Sequence, residues 1–310
     1  MVPLRIAIIG FGKIAADQHV PAIAANPRFQ LVAAASRNIV PQPGLATYAD
    51  YRDLLAAEQL DAVAVCTPPS ARYEIARDCI EAGFHTLLEK PPGVTLGEVE
   101  ILRRLAAARE VTLFTTWHAQ YNPAVTAAAH ALAGRRIATM RIVWKEDVRK
   151  WHPGQEWIWS PGGFGVFDPG INAFSIATSI FPGPLAVKAA ELFFPENRQA
   201  PIAAEISLVS PAADGVLSAS FDWRHSGGEA WTIEIGTADG EEIALLDGGS
   251  RLLVGGEEQA GQGPGEYPAI YERFVDLIDE RRSLVDVDPL RLAADSFLAG
   301  SRTVVEPFEG

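Results

Sequence analysis

A glycine-rich turn near the N-terminus constrains the fold of this chain more than any other feature. It reads Gly10-Phe11-Gly12-Lys13-Ile14-Ala15, follows the apolar run LRIAIIG and opens the helical pattern KIAADQHVPAIAAN. In this order the first glycine permits a tight turn, the second lets a pyrophosphate approach the backbone, and the alanine lets helix and strand pack closely. The turn therefore predicts a dinucleotide site, with a purely structural glycine turn as the alternative.

The alternation that begins at this turn continues to about residue 120. The apolar runs QLVAAAS, DAVAVC, HTLLE and VTLFTT are separated by helical patterns. Uniformly apolar strands suit a parallel sheet covered on both faces, so we predict an α/β Rossmann domain, a doubly wound parallel sheet, over residues 1–121. Residues 122–310 show alternating strands and two helical patterns near the end. They predict an α+β domain with a large, mostly antiparallel open sheet.

Charge and composition narrow the classes of partner. A net charge of −13 argues against nucleic acid. No run approaches the roughly 20 apolar residues that a membrane span needs, and the N-terminus shows no export signal. Cys66 and Cys79 show neither a metal spacing nor a disulfide framework, and we interpret them as buried small hydrophobic residues. We expect a cytoplasmic protein that binds neither nucleic acid nor membrane.

The end of the second predicted strand bears on which cofactor is used. An acidic residue there would bind the free ribose 2′-hydroxyl of NAD, but the chain has Ser36-Arg37. A hydroxyl and a guanidinium suit a 2′-phosphate. The pair predicts that NADP is preferred, with NAD as an accepted alternative; an ordinary polar strand exit is the competing interpretation.

Two further motifs resemble signatures of the glucose–fructose oxidoreductase, inositol dehydrogenase and rhizopine-catabolism family of sugar enzymes. The E-K-P signature stands as Glu89-Lys90-Pro91, and a glycine pair followed by D-x-G-x-H stands as Gly162-Gly163 and Asp168-Pro169-Gly170-Ile171-Asn172. The resemblance implies an NAD(P)-dependent oxidoreductase whose lysine lies near the nicotinamide and the reacting carbon. Asn172 departs from the family's histidine, and an amide cannot exchange protons at neutral pH.

Within the family, four stretches look like those of bacterial L-arabinose and D-galactose 1-dehydrogenases: GKIAADQHVPAI, LLEKPPGVTLGEV, WKEDVRKWHPGQEWIW and GVFDPGIN. This resemblance implies oxidation of the anomeric C1 hydroxyl of an aldose to a lactone. Two alternatives stay open: a non-catalytic sensor of NADP and sugar with the same fold, and a dehydrogenase of another polyol such as an inositol. The resemblance also implies a small-molecule aldose substrate and a homodimer, and it assigns substrate binding and oligomerisation to residues 122–310.

The stretch KEDVRKWHPGQEWIW, residues 145–159, mixes charges with indole rings. A sugar needs carboxylates, amides and imidazoles for its hydroxyls and aromatic faces for its C–H groups, so we interpret the stretch as a wall of the sugar pocket. Trp157 and Trp159 are expected only to pack the loop. No H-x-H or H-x(3)-H spacing supports a metal site. The predicted substrate-binding residues are His118, Glu146, Trp151, His152, Asn172 and Trp231.

The remaining predictions concern catalysis and the cofactor. Lys90 and Asp168 are the candidate general bases, and Asp168 and Asn172, four apart, share one helical face. His19, in the first helix, is interpreted as a packed or capping residue. The predicted cofactor-binding residues are Gly10, Gly12, Lys13, Ile14, Ser36, Arg37, Thr67, Pro68, Glu89 and Lys90.

Overall fold

The chain divides into two compact units. The computed structural model describes residues 2–41, 44–259, 261 and 263–309. The first unit comprises Met1–His118 and Pro264–Val287, and the second comprises Ala119–Gly263 and Asp288–Gly310.

Strands and helices alternate in the first third of the chain, and strands predominate later. The strands are β1 (Leu4–Ile9), β2 (Phe29–Ala35), β3 (Ala46–Tyr48), β4 (Ala62–Val65), β5 (His85–Leu88), β6 (Leu113–Thr115), β7 (Ile137–Lys145), β8 (Ala186–Pro195), β9 (Ala203–Val209), β10 (Leu217–Asp222), β11 (Ala230–Thr237), β12 (Glu242–Leu246), β13 (Arg251–Val254), β14 (Glu257–Gln259) and β15 (Gly300–Val305). The α-helices are α1 (Val20–Ala25), α2 (Tyr51–Ala57), α3 (Pro69–Glu81), α4 (Leu96–Arg109), α5 (Pro123–Leu132), α6 (Val148–Trp151), α7 (Phe167–Ile180), α8 (Glu266–Asp279) and α9 (Asp288–Ala299). Short π- or 3₁₀-helical segments cover Ala15–His19, His118–Tyr121, Glu156–Trp159 and Asp247–Gly249.

The first unit contains a parallel sheet in the order β3-β2-β1-β4-β5-β6. Strand β4 is apolar and buried along its length, and β1 is apolar and buried from Ile6 to Ile9, as a sheet covered on both faces requires. The strand order reverses between β1 and β4, and at such a point the carboxyl ends of the strands open a crevice. The predicted Rossmann fold is confirmed.

The first unit also includes a segment from late in the chain. The predicted boundary at residue 121 assigned everything after it to one second domain, whereas Pro264–Val287 groups with the first unit. Aromatic packing accounts for the difference: Phe274, on α8, stacks on Phe29 and Phe114 with ring centroids 5.9 and 6.1 Å apart. Backbone bonds between Leu284 and β6 cover the edge of the sheet. Helical periodicity predicted α8 but carried no information about its packing partner.

The second unit is built on a mixed, mostly antiparallel sheet in the order β14-β13-β12-β11-β7-β10-β9-β8-β15. The pairs β7–β10 and β8–β15 are parallel, and the other pairs are antiparallel. This confirms the predicted α+β architecture. One strand was missed: β15 begins at Gly300, where the helical pattern was expected to end at about 301.

Helix α7 packs closely on this sheet. A Cβ at Gly170 would lie 2.7 Å from the ring of Phe221, so only glycine permits this approach of helix to strand. Phe167, Phe174 and Phe221 fill the contact as an aromatic cluster. The packing fixes the helix that carries Asp168 and Asn172.

Candidate active site

The turn after β1 has the geometry that a dinucleotide needs. Gly10 has φ +93°, and a Cβ there would lie 2.6 Å from the backbone nitrogen of Thr67, so no other residue fits. A Cβ at Gly12 would meet nothing within 4 Å, which leaves open space beside the backbone. Ala15 is fully buried against the sheet. These residues fit the pyrophosphate of an NAD(P) cofactor at the helix N-terminus.

Thr67, which follows β4, supplies a second sign of a ligand at this edge. Its hydroxyl oxygen is buried and has no hydrogen-bond partner among the described residues. Buried polar atoms are rarely left unpaired, and an absent ligand is one standard reason. Pro68 is exposed beside it, at the start of α3.

The predicted 2′-phosphate residues follow β2. The Ser36 backbone N–H donates to the Tyr48 carbonyl at 3.0 Å, which ties this exit to β3. Arg37 is exposed, and its guanidinium has no partner in the described part of the chain. Lys13, at the glycine turn, is exposed and pairs with Asp17, and Ile14 is 38% exposed.

The E-K-P motif lies at the carboxyl end of β5 and is held from inside. The Glu89 side chain is only 4% exposed. Its Oε1 bonds His19 Nε2 at 3.1 Å and accepts from the Tyr267 hydroxyl at 2.8 Å, while its Oε2 accepts from the Lys90 backbone N–H at 2.9 Å. The carboxylate predicted to bind cofactor is thus occupied by protein donors, and Lys90 is half-buried next to it.

Burial and these donors act on the pKa values in opposite directions. Burial would raise the pKa of the Glu89 carboxyl, but hydrogen bonds from His19 and Tyr267 and the charge of His19 hold it well below its usual range. Burial would lower the pKa of His19, but Cys66, Tyr271 and Glu89 raise it well above the usual value. Both pKa shifts act in the direction that favours a carboxylate at Glu89 and a protonated imidazole at His19.

Arg72, on α3, holds the same backbone from the other side. It is 3% exposed and donates to the carbonyl of Glu89 at 2.7 Å, and also to the carbonyls of Pro91 and Thr67. The Lys90 peptide is therefore flanked by carbonyls that one guanidinium fixes. No sequence motif indicates this role of Arg72, because its partners are main-chain atoms.

His118, the last residue of the N-terminal segment of the first unit, contacts α8. Its Nδ1 lies 2.9 Å from Glu266 Oε2, and its ring stacks on Tyr267 with centroids 5.8 Å apart. The imidazole is thus oriented by a carboxylate, as a ligand-binding histidine commonly is.

In the second unit the structure brings together two residues that were predicted separately. His152 Nε2 lies 3.4 Å from Asp168 Oδ2, and both side chains are largely buried. Asn172 lies one turn further along α7 and is half-buried, and no bond to its side-chain amide occurs among the described residues. An imidazole, a carboxylate and an amide therefore form one polar group that can bind hydroxyls and hold a proton.

The stretch 145–159 forms the short helix α6, a bend and a 3₁₀ turn. Glu146 is 3% exposed and accepts from Trp231 Nε1 at 2.9 Å. The ring of Trp231 stands 5.4 Å from that of Trp151, which is 44% exposed and donates to Glu229 at 3.0 Å. The predicted mixture of acid and indole is thus a contiguous cluster.

The other two tryptophans of the stretch pack within it. Trp157 Nε1 donates to Gln155 at 3.0 Å, and Trp159 is buried against Trp223.

Two other kinds of feature are absent from the described residues. They contain no group of three or more His, Cys, Asp or Glu side chains that could hold a metal ion. None of their helices is long and apolar enough to cross a membrane.

Comparison with known proteins gives one match to the N-terminal part of the chain and one to nearly its whole length. Residues 4–116 match a family described as an oxidoreductase family with an NAD-binding Rossmann fold. The sequence is 47% identical to a galactose 1-dehydrogenase of Pseudomonas fluorescens over 310 residues, 99% of each chain. The chain belongs to this oxidoreductase family. The predicted family and the prediction of an enzyme are confirmed.

Two solved structures superpose closely on this chain. The crystal structure of D-galactose-1-dehydrogenase from Rhizobium etli superposes with a TM-score of 0.94 at 47% identity, covering 100% of this chain and 99% of that one. A 3-ketoreductase from Actinomadura kijaniata, 18% identical, superposes with a TM-score of 0.84 over 98% of this chain and 100% of its own, and shows the fold alone.

Proposed function

We propose that this oxidoreductase is an aldose 1-dehydrogenase. It oxidises the C1 hydroxyl of L-arabinose, D-galactose or both to the lactone, with NADP preferred and NAD accepted. The observation that carries the proposal is the 47% identity to a galactose 1-dehydrogenase over 99% of both chains. The Arg37 guanidinium, exposed after β2, supports the preference for a 2′-phosphate.

Each unit, taken by itself, carries polar side chains of the kinds that bind sugar hydroxyls. Asn172 and His152 can exchange hydrogen bonds with ring hydroxyls, and so can His118. The Trp151 and Trp231 rings, which contact each other, suit the apolar face of a pyranose. Glu146, whose carboxylate accepts from Trp231, is the proposed acidic partner of a sugar hydroxyl beside these rings.

The reaction separates a hydride from a proton. The nicotinamide cofactor, when bound, accepts the hydride from C1. The proton of the C1 hydroxyl passes to a base as the C1–O bond becomes a carbonyl, and Lys90 and Asp168 are the two proposed bases. The His152 imidazole, 3.4 Å from Asp168, can stabilise that carboxylate or take the proton onward.

A panel of aldoses with each cofactor tests this proposal. We expect steady reduction of NADP with L-arabinose and D-galactose, slower reduction of NAD, and little turnover of myo-inositol. Binding of both NADP and sugar without turnover would indicate a non-catalytic sensor instead. Turnover of inositol above that of any aldose would indicate a polyol dehydrogenase.

Two further predictions concern the protein in solution. We propose that the chain forms a homodimer, which sedimentation equilibrium would test. A cytoplasmic location also stays a prediction, to be checked by cell fractionation.

A further inference from the structure

Four buried side chains of the first unit, those of Glu89, His19, Tyr267 and Tyr271, form a continuous network that the proposed chemistry does not use. His19 is fully buried and bonds Glu89 through Nε2, and its Nδ1 lies 2.7 Å from the Tyr271 hydroxyl. Tyr267 is 4% exposed and donates to the same carboxylate oxygen. The ring of Tyr267 also packs edge-on against His19 at 4.9 Å and stacks on His118.

We propose that His19 and Tyr267 are positioning residues that fix the Lys90 peptide through Glu89. The kinetic consequences of this proposal rest on the proposed dehydrogenase function, whereas its structural consequences do not.

The proposal rests on the different hydrogen-bond partners of the two Glu89 carboxylate oxygens. Oε1 takes both buried donors, His19 Nε2 and the Tyr267 hydroxyl, and Oε2 accepts from the Lys90 N–H. Rotation of the carboxylate would break both bonds at Oε1 in a site that excludes water, where unpaired charge is costly. The two donors therefore hold Oε2 at one place, and Oε2 holds the Lys90 peptide.

The local fold is arranged to deliver these donors. Ala15–His19 forms a π-helical segment directly after the glycine turn. His19 is the last residue of this segment, and its side chain is buried. Tyr267 belongs to α8 and lies 178 residues from Glu89 in sequence. Together with Arg72, which bonds the carbonyls of Glu89 and Pro91, this network holds the backbone on both sides of Lys90.

The first test compares Tyr267→Phe with a matched control, Tyr51→Phe. Both remove one hydroxyl that donates to a carboxylate in the first unit; Tyr51 donates to Asp78 at 2.7 Å, away from Glu89. Phenylalanine keeps the ring that stacks on His118. We expect Tyr267→Phe to lower kcat about tenfold with little change in the Kd for NADP, and Tyr51→Phe to leave kcat unchanged. An equal loss of kcat in both variants would overturn the proposal.

A double-mutant cycle asks whether the effect passes through Lys90. In a Lys90→Ala background, Tyr267→Phe should change the residual kcat less than about twofold. A further tenfold loss in that background would mean that Tyr267 acts independently of Lys90, and the proposal would be wrong. His19→Asn, run through the same cycle, should behave like Tyr267→Phe.

Hydrogen exchange tests the structural claim without any turnover. In residues 88–93, Pro91 and Pro92 have no amide proton, so the exchange of this segment reports few sites, Lys90 among them. Glu89→Gln and Tyr267→Phe should accelerate its exchange about tenfold or more, and Tyr51→Phe should not. Unchanged exchange in both variants would refute the positioning role. If the wild-type chain oxidises no aldose, the proposed function fails while this measurement still decides the inference.

Discussion

Arg37 provides the sharpest residue-scale test of cofactor preference. Its exposed guanidinium can form charge-assisted hydrogen bonds of about 1.5–3 kcal/mol to a 2′-phosphate. We expect the double substitution Ser36→Asp and Arg37→Ala to raise the KM for NADP strongly and to spare or improve the KM for NAD. An equal increase in both KM values would contradict this assignment; Arg109→Ala, on α4, is the control for simple loss of charge.

The roles of Lys90 and Asp168 as bases can each be tested by the effect of their substitution on turnover. Loss of a general base typically costs about 10²–10⁴ in rate, so we expect Lys90→Ala and Asp168→Ala each to lower kcat at least about a hundredfold. Both variants should still bind NADP, as measured by calorimetry. Near wild-type turnover in either variant would remove that residue from the mechanism.

Asn172 stands where the chain departs from its family's pattern. We expect it to discriminate between sugars that differ in the configuration at C4. L-Arabinose and D-galactose share the arrangement at C2, C3 and C4, and D-xylose and D-glucose differ from their respective partners at C4. A fixed amide donates to one hydroxyl and accepts from another, and the wrong epimer leaves it partly unpaired at about 1–3 kcal/mol.

We therefore expect Asn172→Ala to lower kcat/KM for arabinose and galactose roughly ten- to a hundredfold more than for their C4 epimers. The ratio of kcat/KM values before and after substitution is the measurement. If the ratio does not change, Asn172 only completes the helix, and selectivity depends on Glu146 and His152.

Site residues that belong to local sequence motifs could be predicted, whereas contacts between residues far apart in the sequence could not. The glycine turn, Glu89-Lys90-Pro91 and Asp168 are local patterns, and each lies where the fold expects it. His19 was interpreted as packed or capping because its partners, Glu89 and Tyr271, lie 70 and 252 residues away. Arg72 was missed because it bonds backbone carbonyls, which no motif encodes. The contact of His152 with Asp168 was not predicted, because the two residues belong to different elements and no sequence pattern shows that these elements pack together.

At the scale of elements, hydrophobic periodicity predicted most helices and strands. The exceptions are strands that are very short or that lack a turn signal before them. The three-residue β3 is too short to show a period, and β15 follows α9 without any intervening turn signal. Helix α8 was predicted within two residues of its ends but assigned to the other unit. Periodicity shows that a helix has an apolar face but does not identify the surface that the face covers.

The contact between the first helical segment and α8 should make stability depend on pH. A group whose pKa rises on folding stabilises the protein fully below its unfolded value, about 6.5 for histidine, and less as pH rises through the folded value. His19 has such a raised pKa, with Cys66, Glu89, Tyr267 and Tyr271 facing it. The low pKa of Glu89 keeps that carboxylate charged throughout this range.

We expect His19→Asn to lower the free energy of unfolding by about 3–5 kcal/mol near pH 6, as loss of one partner of a buried pair does. The difference from wild type should narrow as pH rises, and urea denaturation at several pH values would measure it. His130→Asn, an exposed site on α5, is the control. A difference that is constant or grows with pH would be inconsistent with a charged His19.

At the scale of the whole molecule, the first unit is discontinuous in sequence and should need both pieces. Ile270, Tyr271, Phe274 and Leu277, all on α8, are fully buried. At about 1.5–3 kcal/mol each, they contribute roughly 6–12 kcal/mol, comparable to the whole stability of an ordinary domain.

Residues 1–118 alone should therefore fail to fold cooperatively. The same residues joined through a flexible linker to 264–287 should show a sharp melting transition and near-ultraviolet dichroism. Cooperative melting of the shorter chain would show that α8 is dispensable.

Because α8 lies late in the sequence, its position also affects folding during synthesis. Tyr267 follows Glu89 by 178 residues, and most of the second unit lies between them. At about 5–20 residues per second, the ribosome takes roughly 10–40 s to cover that interval. Throughout this time the emerging nucleotide-binding unit lacks the helix that closes its core, and the carboxylate beneath Lys90 lacks one of its donors. The nascent chain is thus exposed to chaperones and proteases until the ribosome has passed residue 287.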